Sequence, residues 1–224
     1  MKNNKIQMSE SIIVYILLAL SGGSMDAYSY LYRGKVFANA QTGNILLMGV
    51  NIAEQRYEIA LKYLWPILAF TLGIVISDFL RERKGNFHIH WRQIVVSIEL
   101  IILIIVCFIP QNLNALANAL TSLACGLQVQ TFRSAVGNSI ATTMCIGNLR
   151  SAASNMHRYF TSKEKMYFKK SLLYFGTIFF FIIGAVIESR IIIIYNKYAL
   201  LFSAILLSIS FFLMLIDVEN SKAN

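Results

Sequence analysis

Residues 11–31 read SIIVYILLALSGGSMDAYSYL, and the solvent this stretch needs decides the fold. It is about as long as the ~20 residues a helix uses to cross a hydrocarbon core. Its one acid, Asp26, lies inside the apolar pattern rather than at its edge. Lys2, Lys5, Ile12–Leu20 and Ala19-Leu20-Ser21 together imitate a cleavable signal peptide. The apolar pattern runs on through Met25-Asp26-Ala27-Tyr28, so an uncleaved first span is expected.

Further along, Leu61–Leu80, Gln93–Pro110, Phe168–Ile187 and Tyr198–Ile216 repeat the spanning pattern. Leu113–Phe132 is a weaker candidate, interrupted by Asn114, Asn118, Gln128 and Gln130. Val36–Ala53 and Val136–Met156 are more polar still. Such segments suit broken or re-entrant helices buried in protein or lining a cavity.

Composition agrees. Of 224 residues, 57% are hydrophobic and 14% charged, with a mean hydropathy of +0.60. Soluble domains average about 25% charged residues, so this chain lacks the means to cover a water-facing surface. The net charge of +9 sits mainly in connecting segments. Positive-inside topology accounts for it, and no nucleic-acid partner is expected. Cys107, Cys125 and Cys145 are odd in number, widely spaced and set in apolar runs, so they read as small buried hydrophobes.

Basic clusters occur at Lys2/Lys5, Arg81/Arg83/Lys84/Arg92 and Arg158/Lys163/Lys165/Lys169/Lys170. Six crossings plus two polar non-crossing segments put all three clusters in the cytoplasm, with both termini inside. The expected class is therefore an all-α membrane fold. It has about six transmembrane helices plus two broken or re-entrant segments, in a single membrane domain over residues 1–224.

Thr42-Gly43-Asn44 recurs as Ile146-Gly147-Asn148, Gly22 lines up with Gly126, and Leu72-Gly73-Ile74 resembles Ile183-Gly184-Ala185. The chain divides into repeats at residues 10–110 and 113–216. Three crossings each would give them opposite orientations, as in transporters with inverted repeats.

The candidate binding residues follow. Asp26 inside a span costs ~2.5–3.5 kcal/mol on insertion scales, which suits a proton or cation site. The structural alternative pairs it with Arg33. Asn39, Thr42, Gly43 and Asn44, with Thr142, Thr143, Gly147 and Asn148, supply amides and hydroxyls beside glycines. They suit either solute binding at a broken helix or close helix packing. Gln128 and Gln130 occupy the second repeat's counterpart of the Asp26 region, with Gln130 matching Asp26. Glu99 is a second candidate carboxylate, expected nearer the cytoplasmic surface. Asp78 and Glu188 read as interfacial charges beside Arg81 and Arg190. His88 and His90 beside Trp91 are a weak metal signal.

Gly22-Gly23-Ser24-Met25-Asp26-Ala27-Tyr28-Ser29 and Val36-Phe37-Ala38-Asn39-Ala40-Gln41-Thr42-Gly43-Asn44 resemble the first-half signature of the YoaK-like family of bacterial membrane proteins. Gly126-Leu127-Gln128 and Ala141-Thr142-Thr143, followed by Gly147-Asn148, resemble its second-half signature. The chain departs from that family at Gln41, where methionine is common, and at Ile146, where threonine is usual. The resemblance implies a multi-pass protein of the bacterial cytoplasmic membrane and supplies no substrate.

The reading that follows is a small secondary transporter or permease for a small polar solute or ion, proton-coupled through Asp26. The alternative is a non-transporting scaffold or accessory subunit whose GN motifs only pack. No enzymatic constellation, P-loop or cofactor motif is present in the sequence, so neither catalysis nor a cofactor is expected. Expected partners are the lipid bilayer, the solute and, given the chain's small size, a second copy in a homodimer.

Overall fold

The protein is described by a computed structural model covering residues 11–83, 90–135 and 138–222, with side chains except at 135, 138, 139 and 216–222. Its helices are α1 (Ile12–Leu31), α2 (Gln41–Ala53), α3 (Tyr57–Glu82), α4 (Trp91–Phe108), α5 (Asn114–Thr131), α6 (Cys145–Ser162), α7 (Lys165–Tyr195) and α8 (Leu201–Lys222). A two-residue antiparallel pairing of Ser134–Ala135 with Asn138–Ser139 is the only strand pairing among the described residues.

Local chemistry fixes the helix starts. Ser11 caps α1 by accepting the Val14 N–H at 3.4 Å. His90 caps α4, accepting the Arg92 N–H at 3.3 Å, while Gln93 Oε1 accepts the His90 N–H at 3.1 Å. His90 is thus committed to a capping box; His88 lies outside the described residues.

Four described stretches are long and apolar enough to cross a membrane: Ile12–Leu31, Tyr57–Glu82, Trp91–Phe108 and Lys165–Leu215. The last holds both α7 and α8, separated by the turn Asn196–Leu200, where Asn196 takes φ 50° and ψ −121°. The expected Leu113–Phe132 span forms α5 but is not apolar enough to be counted with these four. Its polar residues point inward, with Asn118, Thr121, Ser122 and Gln128 all buried. The outer faces carry exposed apolar side chains, such as Leu72, Val75 and Phe79 on α3 and Phe179, Ile182 and Val186 on α7. Such a polar-inside, apolar-outside arrangement requires lipid as solvent.

Helix directions follow from who meets whom. α1 and α7 run the same way, with the Leu20 carbonyl against Gly184 and Ser24 hydrogen-bonded to Glu188. α3 and α5 also run the same way, with the Phe70 carbonyl against Gly126 and Ser77 bonded to Thr131 at 2.8 Å. α1 and α5 are antiparallel: Met25 Sδ lies 3.7 Å from Cys125 Sγ, while the Leu18 carbonyl accepts from Gln128 at 3.0 Å. α4 and α8 are antiparallel too, since Phe108 packs on Tyr198 while Ser97 and Phe211 line one groove. Each short polar helix packs beside a long one, α2 on α3 and α6 on α7.

Glycines permit the two parallel crossings. A Cβ on Gly23 would strike the Phe181 carbonyl, and one on Gly126 the Phe70 carbonyl. Likewise Gly184 lies under Leu20 and Gly73 under Leu123. Gly126 is therefore matched by Gly23 rather than by Gly22, one residue off the expected register. Gly22 instead faces a different neighbour.

Candidate functional site

Two chain segments double back to the middle of α1. After α1 ends, the chain returns so that Asn39 Nδ2 donates to the Gly22 carbonyl at 3.0 Å. From the second half, Thr143 reaches the same residue, its methyl 2.7 Å from where a Gly22 Cβ would stand. Gly22 is thus the meeting point of both polar segments, and a side chain there would have to displace the Thr143 methyl.

Around this point, Asp26 Oδ1 accepts the Asn39 N–H at 2.7 Å, and the N–H groups of Ala38 and Ala40 face the same carboxylate. Asp26 is partly buried and sits just before the start of α2, where a negative charge is favoured. It does not pair with Arg33; Glu54–Arg56 is the ion pair present among the described residues. Arg33 is fully buried instead. It donates to the Tyr28 hydroxyl at 3.1 Å, Asn114 Oδ1 at 3.2 Å and the Val106 carbonyl at 2.8 Å. The carbonyl ends of α1 and α4 compensate its charge.

Glu99 lies at the midpoint of α4, fully buried, rather than nearer one surface as expected. Neither of its carboxylate oxygens has a hydrogen-bond partner. Val106 lies two turns beyond Glu99, and Arg33, which holds the Val106 carbonyl, lies two turns beyond Asp26. α5 follows α4 across a short turn, packs on it and runs against α1, so α1 and α4 run the same way and the two acids share one level. Cys125 is within electrostatic reach of both and lies beside the Asn39 side chain.

Other polar atoms at the core are also unpartnered: the acceptors Asn39 Oδ1 and Gln128 Oε1, and the Thr143 hydroxyl, which can donate or accept. Gln128 Nε2 is used twice, toward the Leu18 carbonyl and toward Thr142 Oγ1 at 3.1 Å. Free lone pairs therefore outnumber free donors here, an environment suited to a cation or a donor-rich solute.

Several sequence candidates lie elsewhere. Thr42 and Gly147 point outward, away from the core. Gly43 lies under the Phe37 ring, 2.9 Å from a Cβ position, which is a packing role. Asn44 and Asn148, both buried, grip backbone rather than facing the core. Gln130 bonds both Asp78 oxygens at 2.7 Å, on the α3 side, so it is no counterpart of Asp26, and Asp78 is held by an amide rather than by Arg81. Glu188 is fully buried and accepts from Ser24 at 2.7 Å, and Ser203 donates to Ser24 at 2.8 Å. Its expected interfacial role beside Arg190 is not what the fold gives it, because the Gly23/Gly184 crossing draws that turn of α7 against α1.

The buried roles of Arg33 and Glu188 escaped the sequence reading. Both stand where terminal charges ordinarily snorkel, and only the helix packing distinguishes them. Glu99 is legible as a lone carboxylate within a spanning run, but its mid-helix position depends on where α4 starts, which the capping box at His90 sets.

Residues 14–213 match a family model described as a protein of unknown function, DUF1275. The chain is similar to UPF0700 transmembrane protein YoaK of Bacillus subtilis (strain 168), at 25% identity over 183 residues, covering 76% of this chain and 79% of the relative. No solved structure matches the chain. Since that family model spans most of the sequence, the chain belongs to the DUF1275 family of proteins of unknown function.

Proposed function

We propose that this membrane protein is a small secondary transporter or permease for a cation or a cationic small polar solute, coupled through buried carboxylates. The observation that carries this reading is Glu99, a mid-helix carboxylate with both oxygens unpartnered and no exposure. A lone acid in the membrane is costly and marks ion or proton pathways. The coupling role passes mainly to Glu99, because the Asp26 carboxylate is already occupied by the backbone leading into α2. Asn39, Gln128, Thr142 and Thr143 supply the polar groups gathered along α1 beside Asp26.

The architecture proposed is six crossings in two inverted repeats within the bacterial cytoplasmic membrane, both termini cytoplasmic. Helix directions support it. α1 and α3 are opposed, so the chain between them, including α2, makes no net crossing; α5 and α7 are likewise opposed around α6. Both segments then act as re-entrant elements meeting at Gly22 from opposite sides, as in transporters with broken helices.

The scaffold alternative draws on Asn44 and Asn148, whose side chains serve only packing. Proton flux in liposomes, under a panel of small monovalent and organic cations, separates the readings. Wild type should give substrate-dependent flux that Glu99→Gln abolishes and Asp26→Asn weakens. Flux undiminished in Glu99→Gln removes the coupling role, and silence of the folded wild type across the panel favours the scaffold.

A further inference from the structure

A groove of about 700 Å³ opens between the N-terminal halves of α1 and α7. Its walls are apolar, from Ile12, Ile16, Leu172 and Phe180, and Lys165, Lys169 and Lys170 stand at one end. We propose that this groove is a binding site for an anionic glycerophospholipid, with an acyl chain along the walls and the phosphate on the three lysines.

The chemistry matches at both ends. The volume falls within the roughly 300–1,000 Å³ of ligand sites. The lysines occupy the first two turns of α7, where unpaired N–H groups also favour an anion, and that first turn carries no acid. Glu164, the N-cap, makes no side-chain cap bond, and none of the three lysines forms an ion pair among the described residues. Basic pockets between membrane helices on the cytoplasmic side are suited to anionic headgroups.

Gly176 supplies an independent observation. A Cβ there would meet nothing within 4 Å, whereas Gly184 one face along lies hard against Leu20. Glycine is among the poorest residues for a helix interior, and no close helix approach explains it at this position. What its missing side chain keeps open is the groove. A second copy of the chain fits less well, because a two-fold interface would set lysines against lysines. Free phosphate has nothing to place against the apolar walls.

The full-length protein in detergent, titrated with dioleoyl phosphatidylglycerol or dioleoyl phosphatidylcholine and followed by native mass spectrometry, tests this. The anionic lipid should bind at least about tenfold more tightly. Lys165→Gln/Lys169→Gln/Lys170→Gln should erase that preference, and Gly176→Leu should weaken both lipids by filling the groove, with the melting temperature of each variant confirming folding. Equal binding of the two lipids, or a preference that survives the triple substitution, overturns the proposal. So does displacement of the lipid by inorganic phosphate alone. Loss of a dimer rather than of lipid in Gly176→Leu overturns it in favour of a face between copies.

Discussion

Asn44 and Asn148 perform the same task in the two halves of the chain: each grips both backbone groups of the residue seven positions earlier. Asn44 accepts the Phe37 N–H at 3.0 Å and donates to the Phe37 carbonyl at 2.7 Å. Asn148 accepts the Ala141 N–H at 3.4 Å and donates to the Ala141 carbonyl at 2.6 Å. An amide can do both because it carries a donor and an acceptor on one plane. The clamp folds an extended segment against the first turn of the helix after it, and so holds Asn39 and Thr143 in reach of Gly22.

Replacing either asparagine should therefore destabilise the fold before it affects any solute. Asn44→Ala strands two backbone groups, each costing about 1–3 kcal/mol when buried and unpaired. It also loses the bond to Gln41 Oε1 at 2.9 Å. Asn148→Ala should cost less, since its bond to the Ala141 N–H is long. Apparent melting temperatures in detergent, with Asn44→Asp as the variant that keeps only the acceptors, give the ranking. A larger loss for Asn148→Ala than for Asn44→Ala contradicts it.

The glycines make a second prediction whose sign differs along one helix. Gly184→Ala pushes a methyl into the Leu20 carbonyl. Overpacking of this kind costs about 1–3 kcal/mol, against a helix-propensity gain of about 1 kcal/mol. The net effect is destabilising, and Gly73→Ala should behave alike against Leu123. Gly176→Ala meets open space and keeps only the gain. Thermal unfolding of the three variants should place Gly176→Ala above wild type and the other two below it.

Arg33 carries a charge into the interior without a carboxylate, so its donors carry the cost of burial. Lysine has no planar fork and cannot reach the Tyr28 hydroxyl, Asn114 and the Val106 carbonyl together. Hydrogen bonds to charged groups contribute about 1.5–3 kcal/mol each, so Arg33→Lys should lower stability by about 2 kcal/mol or more. Tyr28→Phe removes one acceptor of the same network, and the double variant should lose less than the sum. Strict additivity in a melting-temperature cycle would show that the two residues act separately.

How much of this was legible beforehand depends on distance along the chain. The apolar runs and the polar interruptions are local patterns, and they suffice for the helices and for the solvent those helices need. Gln128 is legible because a polar group inside a span has few alternatives to facing inward, and Asn39, Thr142 and Thr143 because they sit beside the Gly-Asn dipeptides of polar segments that lipid would not accept. Thr42 and Gly147 were picked out by the same motif and face outward, because a motif does not state which side of its helix is covered. Arg33 and Glu188 depend on which helices cross and at which glycine. A one-residue error in that register, Gly22 for Gly23, is enough to misplace every partner on the neighbouring helix.

The opposed directions of α1 and α3, and of α5 and α7, lead to the last prediction. Gln55, in the turn between α2 and α3, and Ser162, at the end of α6, are both exposed. If neither polar helix makes a net crossing, these turns lie on opposite sides of the membrane, with Ser162 beside the basic cluster of Arg158 and Lys163 and therefore cytoplasmic. Gln55→Cys should react with a membrane-impermeant maleimide on intact cells, and Ser162→Cys only after the cells are opened. The native cysteines set a low background, since Cys107 and Cys125 are buried, and replacing Cys145 removes the partly exposed one. Labelling of both positions from the same side would mean that α6 crosses as well as α3, α4 and α5, which alone otherwise separate the two turns. The proposed inverted arrangement of three crossings in each half would then fail, since the second half would hold four.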